Sequence, residues 1–209
     1  MTVTIRPALS EEIRTATRVA HDEAENSGFI VDLMNGELPL SAYTAFVAQH
    51  LAIYRVLEAA VAEHRGGELS ALLSPALDRV PALERDMDNL EGSGDVPVLP
   101  ATRRYADRIA AAAATPEGLL AHHYIRYLGA LSGGKVIGRR MARTYGFEGE
   151  TATEFYRFTE IDSAKAFKDA YRAELDELDW DADRRARFIA EVSWAFRAHR
   201  AIFDELEAL

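Results

Sequence analysis

Apolar residues recur at helical spacing along almost the whole chain, and nearly every such run has a helix start signal before it and a stop signal after it. Ser10 precedes EEIRTATRVAHDEAEN, where Ile13, Thr17, Ala20 and Ala24 fall on one face and the leading glutamates suit the positive end of the helix dipole. Gly28 closes that run. FIVDLMNG stops at Gly36, and Ser41 opens a longer helix that ends at Gly66 and Gly67. ELSALLSPALDRV and PALERDMDNLEG read as shorter helices punctuated by proline, followed by GSGDVPVLP, a loop by its mixture of Gly, Ser and Pro. After RRYADRIAAAAA, Thr115 caps a helix with Pro116 in its first turn, and that helix runs to Gly146. TEFYRFTEIDSAKAFKDAYRAELDELDW and DADRRARFIAEVSWAFRAHRAIFDELEAL read as helical again, with Asp181 the expected cap of the second. No alternating strand pattern, hairpin signal or internal repeat interrupts the series. These signals predict an all-α chain, a single domain over residues 1–209 with about eight helices.

A hydrophobic share of 48% beside 28% charged residues is enough to close a core without covalent staples. With no cysteine, disulfides, thiolate nucleophiles and cysteine-held zinc or iron–sulfur centres are excluded. The opening MTVTIRPALSEEIR lacks a basic start followed by an apolar run, and no stretch approaches the roughly 18 uncharged apolar residues of a membrane span, so the expected location is the cytoplasm. A net charge of −10 argues against non-specific nucleic-acid binding, which needs a basic face.

One segment works against its own helix. HHYIRYLGALSGGKVIGRRMARTYG, residues 122–146, places Gly129, Gly133, Gly134 and Gly138 in a helix interior, where each glycine costs about 1 kcal/mol relative to alanine. Three uses compete: close helix packing at the Gly129 to Gly133 spacing, a bend at Ser132 and the paired glycines, or the approach of something large and flat to bare backbone. The histidines bear on the choice. A lone histidine on an apolar helix face is more often a core residue than a ligand. His21, however, flanks the inward face of the first helix, and Glu25 stands one turn on. That spacing lets a carboxylate orient a ligating imidazole, and it is also the spacing of an ordinary surface pair. Other chemistries lose ground. The Glu-x-x-His pairs of di-iron bundles and the His-Glu-x-x-His of zinc proteases are missing. There is no Gly-x-Ser-x-Gly elbow, and GALSGG lacks the ending of a phosphate loop.

HHYIRYLGALSGGKVIGRRM resembles the distal-helix signature of haem oxygenases, and TRVAHDEAENSGF is similar to the segment that carries their proximal ligand. FKDAYRAEL and WAFRAHRAIFDEL resemble their C-terminal part, and the order and spacing agree from about residue 8 to 208. The resemblance implies haem b held between a proximal N-terminal helix and a kinked, Gly-rich distal helix. His21 would be the axial ligand to iron, with Glu25 on its other ring nitrogen. Gly129, Gly133 and Gly134 would form the bend that brings backbone close to bound oxygen. Arg14, Tyr124, Lys168 and Arg172 match positions that hold the haem propionates. Tyr54 and Arg126 match the distal hydrogen-bond network. Phe196 and Phe203 match aromatic walls, although periodicity alone makes both plain core. His199 stands where relatives commonly carry asparagine. The implied activity uses haem as both cofactor and substrate: with O2 and electrons, the ring opens to biliverdin, carbon monoxide and ferrous iron, and ordered water delivers the proton.

The chain departs from the family pattern at Ala130, where an aspartate is expected. That carboxylate anchors the distal water; a methyl group cannot, and no acid between Glu117 and Glu148 replaces it. Ring cleavage would slow or yield to peroxidase-like chemistry, whereas haem binding would persist. Three accounts stay open. One is a substitution made to probe the carboxylate, which the otherwise intact surroundings favour. Another is a natural enzyme in which His199, Arg126 or Tyr54 rearranges the water. The third is a haem-binding protein, for storage, transfer or peroxidase-like work, that does not complete ring cleavage.

The family also needs an external electron donor. Residues 118–147 carry Arg126, Lys135, Arg139, Arg140 and Arg143 and no acid. This is either an exposed helix balancing acidic neighbours or a dock for an acidic ferredoxin or flavoprotein reductase, with Arg139, Arg140 and Arg143 as the expected contacts. Set apart from the resemblance, a cofactor-free helical interaction protein, with glycines for packing and His21 in its core, stands level with haem binding.

Overall fold

The computed structural model describes residues 7–90, 92, 94 and 96–209, without the side chain of Glu25. Its helices are α1 (Leu9–Glu25), α2 (Gly28–Asn35), α3 (Leu40–His64), α4 (Val80–Asp88), α5 (Pro100–Ala112), α6 (Pro116–Tyr145), α7 (Ala164–Asp176) and α8 (Ala182–Glu207), with 3-10 turns at Pro75–Leu77 and Glu154–Tyr156. No strand occurs among the described residues, so the expected all-α class is the one found. The long helices do most of the packing: α8 lies along both α6 and α1, and α3 packs on α4, α5 and α6. Tyr43, Tyr54, Tyr105, Tyr127, Phe29 and Phe188 are the largest side chains fully enclosed between them. α3 is long and apolar enough to cross a membrane by composition, but half of that stretch is buried inside the fold, which marks it as a core helix.

Several ends follow the local signals. Thr115 Oγ1 accepts from the Gly118 N–H at 3.2 Å, and Asp181 Oδ1 accepts from the Arg184 N–H at 2.8 Å. Gly36 and Gly146 close α2 and α6 in the left-handed conformation, φ 77° and 71°. The start of α6 is also tied to α8, because the buried Glu117 carboxylate pairs with Arg184 at 3.1 Å and Arg187 at 2.7 Å.

Other ends were decided from a distance. α1 begins at Leu9, and Ser10 is not its cap: the Ser10 N–H and Oγ–H donate to Asp176 of α7 at 2.7 and 2.8 Å. Gly28 does not close α1 but opens α2, beneath the side chain of Ser27. α3 starts at Leu40 after Pro39, with no side-chain cap from Ser41. ELSALLSPALDRV forms turns and a single 3-10 turn rather than a helix, and the Glu58 carboxylate takes the backbone N–H groups of Arg79 and Val80 at the start of α4. Helix is likewise absent from the beginning of TEFYRFTEIDS. Buried Asp86 accepts the N–H groups of Glu154 and Phe155, each at 2.8 Å, and holds that stretch as a 3-10 turn against α6.

Candidate functional site

Residues of α1 and of α6 face a cavity of about 900 Å³, which α3, α8 and the Glu154–Tyr156 turn close off. This volume sits at the upper end of the roughly 300–1,000 Å³ usual for ligand pockets. From α1 come Arg14, Thr17 and His21. The His21 ring stands edge-on to Phe196 with centroids 5.5 Å apart, its Nδ1 lies 3.4 Å from Asp22 Oδ1, and its side chain keeps 46% exposure. Glu25, the expected orienting partner, has its side chain outside the described residues.

From α6 come Gly129, Ala130, Gly133 and Gly134. Helix continues unbroken through all the glycines, which divide by what faces them. A Cβ added at Gly129 would meet nothing within 4 Å, and one at Gly133 only Ile137 of the same helix at 3.8 Å. At Gly134 it would lie 3.3 Å from the Tyr156 ring, and at Gly138 3.1 Å. Gly129 and Gly133 therefore leave the cavity wall as bare backbone, whereas Gly134 and Gly138 make room for Tyr156. Close packing is thus one of their uses, but against an aromatic side chain rather than a second helix.

Arg14, Tyr124 and Arg172 share the cavity lining, with Arg172 also 3.3 Å from Asp169. Lys168 is not in that lining. Its ammonium donates at 2.9 Å to Ser132 Oγ, whose own hydroxyl donates to the Leu128 carbonyl. Phe196 and Phe203 both line the cavity, and Phe203, 4% exposed, also stacks on Phe29 at 6.2 Å, so it serves as wall and core at once.

The most buried polar groups of the site gather around Arg126. Tyr54 donates to the Arg126 carbonyl at 3.0 Å, and the Arg126 guanidinium lies 4.9 Å above the Tyr54 ring. Arg126 Nη1 donates to His199 Nε2 at 3.0 Å, while its buried Nε and Nη2 have no partner among the described residues. Ala130, one turn further along α6, contributes only its methyl group. The arrangement also contains His50, which the sequence reading passed over. Its Nδ1 lies 3.0 Å from the Phe46 carbonyl, and its ring meets that of His199 edge-on, 6.1 Å away. The one available signal was its place a turn before Tyr54. Burial, then Arg126, push His50 and His199 well below the usual histidine pKa, and both rings are neutral at pH 7.

Outside the cavity, Lys135, Arg139 and Arg143 are exposed on α6 beside Val136, which is 63% exposed. Arg140 is engaged elsewhere: its Nε and Nη2 donate to the carbonyls of Met34 and Asn35, both at 2.7 Å, and so satisfy the end of α2.

A single imidazole is the ligand set of a metal already held in a macrocycle, and a flat ring with acidic tails fits this cavity. It would find a histidine on one wall, open backbone on the other, and Arg14, Tyr124 and Arg172 in the same lining. Fold and site together define an all-helical protein with a cavity of haem size and a histidine, His21, on its α1 wall. Comparison with known proteins agrees with this. A family model described as "Heme oxygenase" matches residues 7–205. The chain is 34% identical over 204 residues to "Heme oxygenase 1" of Synechocystis sp., covering 95% of this chain and 85% of that protein. It is also 34% identical to "Heme oxygenase 1" of Rattus norvegicus, covering 96% and 72%. It superposes on the crystal structure of heme oxygenase-1 from Synechocystis sp. PCC6803 in complex with heme with a TM-score of 0.89 at 33% identity, covering 97% of this chain and 93% of that one. The heme oxygenase structure from Leptospira interrogans also gives 0.89, at 30% identity, covering 95% and 100%. The chain belongs to the heme oxygenase family.

Proposed function

We propose that this chain binds haem b in the cavity between α1 and α6 and, supplied with O2 and electrons, degrades it to biliverdin, carbon monoxide and ferrous iron. The observation behind this is the pairing, across one cavity, of His21 with open backbone at Gly129 and Gly133. Bound haem would supply both the iron that activates dioxygen and the carbon that is oxidised. His21 would ligate the iron, with Glu25 orienting the imidazole. Arg14, Tyr124 and Arg172 would take the carboxylate tails, and Lys168, leaving Ser132, would add a cation. The absence of side chains at Gly129 and Gly133 lets backbone touch the reacting face, Gly134 beside them seats Tyr156 in the wall, and Phe196 and Phe203 keep bulk water from it. Arg126 and Tyr54 belong to the polar network behind that face.

Electrons would come from an acidic ferredoxin or flavoprotein reductase docking on Lys135, Arg139 and Arg143 around Val136. Arg140 would shape that surface by holding α2. The cytoplasm is the compartment where such donors meet this chain.

Ala130 favours a second reading, a haem-binding protein that stops before ring cleavage. Single turnover separates the two: bind hemin, add reductant and oxygen, and follow the Soret band and the biliverdin region beside His21→Ala and Ala130→Asp. Biliverdin from the unaltered chain, and a lost or shifted Soret band in His21→Ala, are expected. A Soret band that bleaches without biliverdin supports the second reading. No Soret band at all would leave a cofactor-free helical protein.

A further inference from the structure

His50 and His199 present opposite faces of the same chemistry to the cavity. The Phe46 carbonyl can only accept, so His50 Nδ1, 3.0 Å away, carries the ring proton and His50 Nε2 is a bare lone pair. The Arg126 guanidinium can only donate, so His199 Nε2, 3.0 Å from Nη1, is the bare nitrogen and Nδ1 carries the proton. His50 Nε2 and His199 Nδ1–H are thus an acceptor and a donor, and neither has a hydrogen-bond partner among the described residues. The rings stand edge-on with centroids 6.1 Å apart, and both residues line the cavity, so a water in it has an acceptor and a donor on adjoining side chains. Beside them, Arg126 is 4% exposed, and its buried Nε and Nη2 have no acceptor among the described residues, so its one hydrogen-bonded guanidinium nitrogen is the one that faces His199.

We propose that His50 and His199 together hold the ordered water that delivers protons to the reacting face of this cavity, the task for which Ala130 offers no group. This rests on the haem-degrading reading above and adds His50 as a positioning residue. The water accepts from His199 Nδ1–H and donates one O–H to His50 Nε2, which leaves its second O–H for the cavity. Neither ring changes its protonation state, and the proton that the water gives up is replaced from solvent. Two fixed neutral dipoles thereby orient the water without a carboxylate. The guanidinium of Arg126 locks the tautomer of one ring, and the α3 backbone locks that of the other.

Two measurements test this. Long-range proton–nitrogen NMR of the ligand-free protein reads each ring directly: both should be neutral and protonated on Nδ1 at pH 7. A proton on Nε2 of either ring, or two protons on one, overturns the proposal without reference to activity. Single turnover with hemin then compares the unaltered chain, His50→Leu, His50→Gln and His50→Leu combined with Ala130→Asp, with hemin affinity recorded for each. His50→Leu should lower biliverdin yield by about tenfold or more at unchanged hemin affinity. His50→Gln, which keeps an acceptor, should recover most of the yield, and the added carboxylate should rescue His50→Leu. Equal yields from His50→Leu and the unaltered chain would overturn the proposal and leave the haem-degrading reading intact. Biliverdin only when Ala130→Asp is present would overturn it as well, since the carboxylate would then have no substitute. Failure of the unaltered chain to bind hemin would remove the haem reading itself.

Discussion

Gly129→Ala separates the stability of α6 from its use. Gly129 lies in a helix interior, and its added Cβ would meet nothing within 4 Å, so the substitution should recover most of the helix-propensity difference of about 1 kcal/mol. In a chain of 209 residues that corresponds to a melting temperature about 2–4 °C higher for the ligand-free protein. The same methyl group projects into the cavity where the macrocycle must lie. Overpacking by one methyl group costs about 1–3 kcal/mol, which is roughly 5- to 150-fold in hemin affinity. Gly138→Ala is the control. Its Cβ would press on Tyr156 at 3.1 Å, so the propensity gain is offset by crowding, and Gly138 is not in the cavity lining, so hemin affinity should change much less. Calorimetric melting of the ligand-free proteins and Soret titration with hemin give the two quantities. If Gly129→Ala melts lower than its parent, or binds hemin as tightly, then the open backbone at this position is not kept for a ligand.

Asp86 gives a pH dependence of defined sign. Burial pushes its carboxyl up to about 6 despite the two backbone N–H groups, above its unfolded value of about 3.9, so the folded state holds the proton more tightly. The stability of the parent relative to Asp86→Asn should therefore fall by about 3 kcal/mol as pH rises from about 4 to 6 and stay level above that. Urea unfolding across that range checks it, and a constant difference would contradict it. Glu191 should behave in the opposite sense. Burial raises it, but His122 and Arg108 outweigh burial and bring it down to about 2. Its contribution should be complete above about pH 4.5 and lost as pH falls toward 2. Glu191→Gln should cost about 1–3 kcal/mol at pH 7, with the gap closing in acid, as unfolding at pH 7 and pH 3 would show. Charge reversal at Arg139 and Arg143 should slow reduction by an acidic donor about tenfold at low salt and flatten its ionic-strength dependence, read by stopped flow. Arg140→Ala should instead lower the melting temperature, since it releases the end of α2.

What a residue does within one turn of itself was legible in the chain. Thr115, Asp181, Gly36 and Gly146 mark helix ends because a cap acts on backbone groups a few positions away. The periodic apolar faces dictated an all-α chain for the same reason, and the long run around Gly129 was specific enough to identify the family. Ala130 likewise stood out against that pattern as a residue without a polar group. Tertiary structure decided whatever depends on which faces meet. Asp176, not Ser10, satisfies the start of α1; Asp86 holds the Glu154 turn; and Tyr156 divides four similar glycines into two bare and two packed. His50 looked like any core histidine until folding set its free nitrogen beside His199 and Arg126, and Arg140 looked like a docking cation until α2 ended against it. Helix is a local property of backbone hydrogen bonds and side-chain period, whereas a site is a property of distances between segments far apart in the chain.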